Sequence, residues 1–397
     1  MATRLRTLAL EARTEGGPDR FEFTTADGVC SADAIRTAEL LLAEVLWDRD
    51  PGNLLVPEAN YGVVGTLLAD VAASVTMTES SARATELCRR NARENGADAH
   101  VALLAELDSL GSGDGATEPD PNGPPFDVVA YAPKPYTPIA VGRQRIADAF
   151  GLLAPGGTCI VAAEPTTGLD RYRETLEVIG NCVGTVCERD GVAVIEARRQ
   201  GAADPVEALD RRPLVEPRPL TPTVDGVDLE LVSGPGLFAA GGLDHGTRLL
   251  LETLDVADGD RLLDVCCGYG PIGAFAAATA DCSVVLTDDD RVATQCAECS
   301  LQRTDLAAGS ETTVVTGNCT EAVADRTFDL VATNPPTHAG SGVLSELFAG
   351  IRDVLAPDGA CLFVRHEALD LSGHLRGFDS VETVAAGEEH VVRRATP

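Results

Sequence analysis

Arg261-Leu-Leu-Asp-Val-Cys-Cys-Gly-Tyr-Gly-Pro-Ile-Gly273 is the stretch on which the fold of this chain turns. It reads as an apolar strand, a glycine-rich turn and the start of an apolar helix that continues as Ala274-Phe-Ala-Ala-Ala. Gly268 and Gly270 let the backbone turn tightly and come close to a ligand. The helix start behind them offers free N–H groups to an anion such as a carboxylate. A second apolar run, Ser283-Val-Val-Leu-Thr287, is a further strand with Asp288 at its end. Asp288 lies twenty residues past Gly268, the spacing at which a nucleotide-binding α/β fold places the acid that holds ribose hydroxyls.

Further on, Phe328-Asp-Leu-Val-Ala-Thr333 reads as a buried strand that runs into Asn334-Pro335-Pro336-Thr337. Neither proline has an N–H to donate, and each fixes its own φ. Asn334 and Pro335 each precede a proline and are pushed away from helix. The result is a stiff loop at a strand's C-terminal end, bearing one amide side chain and bare carbonyls. Such a loop suits the holding of a planar amine by its two hydrogens. Asn334 Oδ1 and the Pro335 carbonyl would accept them, and His338 would stand close enough to help carry a proton away.

These motifs, in this order, resemble the class I S-adenosylmethionine-dependent methyltransferases. More narrowly, the segment from about Gly234 to Arg394 is similar to the "methyltransferase small" domain of ribosomal RNA guanine-N2 methyltransferases. Gly234-Pro-Gly-Leu-Phe238 and Gly242 to Leu250 look like that family's lead-in, and Asp264 to Gly270 like its methionine-binding loop. The resemblance implies cofactor contacts at Asp264, Cys266, Gly268, Gly270, Asp288, Asn318, Cys319 and Asn334. It implies a catalytic loop of Asn334, Pro335, Pro336 and Thr337, with Phe238 and His338 on the substrate side. Two departures stand out. Cys266 replaces the first loop glycine, and Thr337 replaces the aromatic ring that follows the two prolines and stacks on the target base.

The N-terminal half carries the same landmarks in the same order. Asn53 to Gly65 aligns with Arg261 to Gly273, Ala73 to Glu79 with Cys282 to Asp288, and Phe126 to Pro135 with Phe328 to Thr337. The losses fall at the chemistry: Val56 replaces Asp264, Glu58 replaces Cys266, Asn60 replaces Gly268, Ala132 replaces Asn334 and Lys134 replaces Pro336. The expectation is one fold used twice, as two tandem doubly wound α/β sheets of Rossmann-like methyltransferase type, the first copy degenerate. Domain limits are expected at 1–200 for the inactive copy, 201–225 for a linker rich in proline and charge, and 226–397 for the catalytic copy. Helical lead-ins are expected over Ala32 to Trp47 and Thr247 to Leu254, and Gly111 to Pro125 is expected to be an inserted loop. Lys134, the only lysine in the chain, stands at the disused mouth, where a basic group could hold RNA phosphate.

The net charge of −31 over 397 residues, with arginine used almost to the exclusion of lysine, opposes the grasping of nucleic acid in ordinary salt. Its even spread along the chain favours adaptation to molar salt, where an acidic surface is screened. Twelve cysteines read as small buried thiols in a reducing compartment rather than as a metal site, even with the Cys296-Ala-Glu-Cys299 spacing. No signal peptide or membrane-length apolar run is present, which places the protein in the cytoplasm. The resemblance implies ribosomal RNA or a ribosomal subunit as the partner, and the internal tandem favours a monomer. Two alternatives stay open: an adenine-N6 or protein glutamine-N5 methyltransferase, since the same loop serves those amines, and a non-catalytic RNA-binding ribosome-assembly factor.

Overall fold

The computed structural model describes residues 5–12, 18–107, 110, 125–201 and 217–397. They fall into two compact units, one within Leu5–Glu216 and the other within Pro217–Pro397. In the first unit the strands are β1 (Arg6–Glu11), β2 (Arg20–Thr25), β3 (Asn53–Val56), β4 (Ser74–Glu79), β5 (His100–Leu103), β6 (Phe126–Tyr131), β7 (Leu153–Ala163), β8 (Asn181–Arg189) and β9 (Val192–Arg198). Its helices are α1 (Thr37–Trp47), α2 (Val63–Leu68), α3 (Ala82–Glu94), α4 (Ile139–Gly151) and α5 (Leu169–Ile179). In the second unit the strands are β10 (Arg218–Leu220), β11 (Thr223–Val224), β12 (Val227–Asp228), β13 (Leu231–Ser233), β14 (Arg261–Val265), β15 (Ser283–Asp288), β16 (Glu311–Thr316), β17 (Phe328–Thr333), β18 (Leu355–His366), β19 (Ser380–Ala386) and β20 (His390–Thr396). Its helices are α6 (His245–Leu251), α7 (Pro271–Thr279), α8 (Arg291–Arg303) and α9 (Ser341–Val354).

Each unit is built on one seven-stranded sheet, in the order β5-β4-β3-β6-β7-β9-β8 in the first and β16-β15-β14-β17-β18-β20-β19 in the second. The first five strands of each order run parallel and the last two antiparallel. Helices cover both faces, so the central strands are nearly continuous apolar runs whose alternate residues enter different cores. On β14, Leu262 joins one apolar cluster while Leu263 and Val265 join the cluster on the opposite face. On β3, Leu54 and Val56 are likewise separated from Leu55. The chain reverses its winding beside the central strand, and the crevice at the C-terminal ends of β14 and β17 is where such sheets take ligands.

Three expectations change. The first lead-in helix begins at Thr37, not Ala32, because Ser31 adopts a left-handed φ of 53° and the Ala34 N–H closes a turn onto the Ser31 carbonyl. The second begins at His245 and ends at Leu251, capped by the Asp244 carboxylate. Of the stretch 201–225, residues 202–216 lie outside the described residues, but Arg218–Leu220 is no linker: it pairs antiparallel with β13. The inserted loop falls outside the described residues apart from Pro125.

Candidate active site

The turn between β14 and α7 alternates left-handed residues: φ is 61° at Cys266, 56° at Gly268 and 83° at Gly270. At Gly270 the need is also for space, since an added Cβ would lie 3.0 Å from the Ala297 Cβ on α8. At Gly268 an added Cβ would meet nothing within 4 Å, so glycine there supplies the φ and open room above the loop. Cys266 takes the same left-handed conformation with a side chain, at a cost of about 1 kcal/mol. Burial pushes its thiol well above the usual range, so it stays neutral.

Asp264 is 0% exposed. Its Oδ2 accepts the Gly273 N–H at 2.9 Å, and its Oδ1 is buried without a hydrogen-bond partner among the described residues. Burial, aided by the charge on Asp288 and opposed by the Gly273 N–H, pushes its carboxyl up to about 7. Asp288, half-buried at the end of β15, accepts the N–H groups of Gly268 and Asp290, each at 2.9 Å. Burial and the neighbouring Asp290 and Asp289 push it also up to about 7. The segment after β16 lies against Asp288, with the Gly317 N–H donating to the Asp288 carbonyl at 2.8 Å. There the Asn318 amide donates to Glu346 Oε1 at 2.8 Å, and Cys319 is buried with a φ of 48°.

β17 pairs directly with β14, with Ala332 opposite Asp264, and Thr333 Oγ1 donates to the Val265 carbonyl at 2.6 Å. The Asn334 loop therefore leaves the sheet beside the Cys266 turn. It is a compact turn, with the Thr337 N–H on the Pro335 carbonyl at 2.8 Å and the Ala339 N–H on the Pro336 carbonyl at 3.0 Å. Asn334 Nδ2 donates to Thr247 Oγ1 of α6 at 3.0 Å, a partner the sequence reading did not single out. Phe238 is 68% exposed, on the segment that the Tyr269 hydroxyl ties down at the Gly242 carbonyl. His338 is exposed on the same loop as Asn334. Among the described residues no cluster of His, Cys, Asp or Glu could hold a metal, and Cys296 and Cys299 both sit on α8.

The first unit keeps this backbone and fills it with its own side chains. Its turn repeats the left-handed alternation, with φ of 47° at Glu58, 59° at Asn60 and 87° at Gly62. Glu79, at the place of Asp288, accepts the Asn60 N–H at 2.6 Å, as Asp288 accepts that of Gly268. Glu79 is also paired with Lys134 Nζ at 2.8 Å. This corrects the expectation that Lys134 holds RNA phosphate: its side chain is only 11% exposed and turns inward onto a fully buried Glu79. Burial alone would lower the lysine, but Glu79 and Glu58 outweigh it and hold the ammonium above its ordinary value.

Glu58, far from standing alone, accepts the Tyr131 hydroxyl at 2.6 Å and pairs with Arg145 at 3.4 Å. Burial would raise its carboxyl, but Arg145, Lys134 and the Tyr131 hydroxyl prevail and lower it. Where the second unit has the Asn334 and Pro335 carbonyls, the first has those of Ala132 and Pro133. Both accept from the Arg36 guanidinium at 2.8 Å. The Asn60 amide spans to the Cys30 backbone, accepting its N–H at 3.1 Å and donating to its carbonyl at 2.9 Å. It thereby occupies room that Gly268 leaves clear.

Five parallel strands closed by an antiparallel hairpin, with acids at two strand ends and an Asn-Pro-Pro loop at a third, define a methyltransferase-type α/β unit. The family model of the methyltransferase small domain matches the chain twice, over residues 20–196 and 228–394, and the chain belongs to that family. It is 27% identical over 300 residues to ribosomal RNA small subunit methyltransferase C of Pseudoalteromonas atlantica, covering 74% of this chain and 80% of that protein. It is 26% identical over 362 residues to ribosomal RNA large subunit methyltransferase G of Aeromonas hydrophila, covering 89% of each. The fold matches the T. thermophilus 16S rRNA N2 G1207 methyltransferase, solved with AdoMet and guanosine, at a TM-score of 0.75 and 21% identity over 98% of both chains.

Proposed function

We propose that this chain transfers a methyl group from S-adenosylmethionine to the exocyclic N2 amine of a guanine in ribosomal RNA, using the second unit alone. The observation that carries the reading is a pair of unfilled acceptors at adjoining strand ends. Asp264 Oδ1 is buried without a donor among the described residues, and Asn334 directly follows β17, the strand that pairs with β14. A buried carboxylate oxygen lacking a donor is costly, and a cationic ligand with N–H groups matches it. The residues present therefore fit S-adenosylmethionine, whose methionine end would meet Asp264 and the turn from Cys266 to Gly270. Asp288 would hold its ribose, and Asn318 and Cys319 would flank its adenine. When bound, the cofactor supplies a methyl group on a sulfonium with a good, neutral leaving group.

The protein's part is to position and polarise. The guanine amine is a weak nucleophile because its lone pair is shared with the ring. Asn334 Oδ1 and the second lone pair of the Pro335 carbonyl accept its two hydrogens, draw the nitrogen toward tetrahedral geometry and aim the lone pair. They also stabilise positive charge as it develops on the nitrogen. In this reading Pro336 stiffens the loop, Thr337 takes the place of a stacking ring, and His338, exposed on the same loop, would pass on the released proton. A paired guanine must leave its stack to enter.

Residues 1–200 form an inactive duplicate in this reading, 201–225 lead out of it, and 226–397 carry the reaction. The ribosomal RNA substrates named for the relatives supply the substrate class, the even spread of acid supports adaptation to molar salt, and the internal tandem supports a monomer. The test is transfer of label from S-adenosylmethionine, in multimolar potassium chloride, to ribosomal RNA and protein from cells lacking the gene. Label in N2-methylguanosine, one bound cofactor per chain, and loss of transfer with unchanged cofactor affinity in Asn334→Ala are the expected results. Label in methyladenosine or protein would replace the substrate assignment, and absence of cofactor binding would leave a non-catalytic assembly factor.

A further inference from the structure

We infer that Thr247 is a positioning residue that holds the Asn334 amide so that its Oδ1 faces the target amine. The inference rests on the amine-accepting role proposed for Asn334. A primary amide has an accepting end and a donating end of nearly the same shape, so the loop backbone alone cannot choose between them. Turned the wrong way, Asn334 would point two N–H groups at an amine that has hydrogens of its own to donate. The proline-rich loop holds the Cα of Asn334 but not its terminal torsion, which is broad and roughly two-fold.

Thr247 supplies the missing anchor. Its Oγ1 lies 3.0 Å from Asn334 Nδ2, and no other described group bonds the Asn334 amide. A hydroxyl can serve either end of an amide, but an amine that donates on the other side is satisfied only when Thr247 accepts from Nδ2, as it does here, and Oδ1 is left for the substrate. The hydroxyl is itself held in place. Thr247 is the third residue of α6, 4% exposed, and the Asp244 carboxylate accepts the N–H groups of Gly246 and Thr247 at 3.0 and 3.1 Å. A Cβ on Gly246 would stand 3.0 Å from the His390 ring, so glycine there lets the start of α6 close onto β20. A β-branched residue in a helix has few χ1 choices, which fixes the hydroxyl further.

The first unit serves as an internal control. The third residue of its corresponding helix is Glu39, behind the N-cap Arg36, and the loop position is Ala132. The amide and its hydroxyl partner are absent together there, and the Arg36 guanidinium lies on the carbonyls instead.

The experiment compares Thr247→Val, which keeps the shape and removes the hydroxyl, with Thr247→Ser, which keeps the hydroxyl, in the full-length protein. Single-turnover methyl transfer, KM for RNA, cofactor affinity and melting temperature are read for each, with Asn334→Ala alongside. Thr247→Val is expected to lose about ten- to a hundredfold in rate through the misdirected amide, with KM, cofactor affinity and melting temperature near wild type. Thr247→Ser is expected to recover the rate to within a few-fold. The side-chain 15NH2 signal of Asn334, shifted and protected from exchange in the wild type, should move to the free-amide position in Thr247→Val, a readout independent of turnover. A wild-type rate in Thr247→Val while Asn334→Ala is dead overturns the inference and leaves the Asn334 reading standing. Activity in Asn334→Ala overturns both.

Discussion

Asp264→Asn should make the protein more stable while destroying its cofactor site. The folded carboxyl titrates at about 7 against an ordinary value of 3.8, because burial penalises the charge and Oδ1 receives no hydrogen bond. The sign follows from proton counting. Between those two values the folded state binds more protons at this site than the unfolded state, so stability falls as pH rises. The penalty is absent below pH 3.8, grows through the window and is constant above pH 7. A shift of about 3 units is worth at most ~4 kcal/mol, and half of that remains after structural relaxation on an order-of-magnitude view. Asparagine keeps an oxygen for the Gly273 N–H and carries no charge. Its melting temperature should therefore exceed that of the wild type by roughly 4–8 °C at pH 8, for a unit of this size, and the difference should shrink toward zero at pH 4. Calorimetric melts across this range in molar salt, without cofactor, test the expectation. A variant less stable than wild type at pH 8, or a difference independent of pH, would refute the idea that Asp264 is an uncompensated buried charge. Saturating cofactor should then raise the wild-type melting temperature and leave that of the variant unmoved.

The same two carboxyls predict that cofactor binding releases protons near pH 6.5. Binding favours the ionised forms of Asp264 and Asp288, both of which stand at about 7 without it, so affinity should rise from pH 6 to pH 8. Calorimetry in two buffers of different ionisation enthalpy would measure the release, and a buffer-independent heat would contradict it. In the first unit, Lys134→Met should destabilise by about 3–5 kcal/mol, since it strips the partner from a buried charge. It should leave RNA affinity and the cofactor stoichiometry unchanged. Weakened RNA binding with an unaltered melt would restore the phosphate-holding role.

Much of the architecture was legible because parallel sheets covered on both faces leave a plain trace. Runs such as Leu262-Leu-Asp-Val265 and Phe328 to Thr333 are apolar but for one aspartate each and a closing threonine, and each is followed by residues that suit little except a tight turn or a stiff loop. The differences between the halves were legible for the same reason: Val56, Asn60 and Ala132 stand at aligned positions where the second half has Asp264, Gly268 and Asn334. The first helix start was misplaced, because Ala32 to Arg36 has helical composition but the left-handed Ser31 precedes it and the Ala34 N–H closes a turn onto the Ser31 carbonyl.

What filled the first unit's site was not legible. Arg36, Tyr131 and Arg145 reach it from a helix cap, a strand end and a helix. Their long side chains are directed by the charges they meet, not by spacing along the chain. Lys134 shows the limit most clearly. As a lone lysine on a loop in a chain of charge −31 it reads as a surface cation, and only the fold places the buried carboxylate of Glu79 within 2.8 Å of it. Asn334 and Thr247 lie 87 residues apart, and nothing local marks them as partners. The amino-acid sequence determined the periodicity, the turns and the residues lining each strand end, because those follow from local sterics and burial. Which buried charges are neutralised, and which way an amide points, was decided by the tertiary structure, because a hydrogen bond between distant residues exists only once packing has brought donor and acceptor within 3 Å or so.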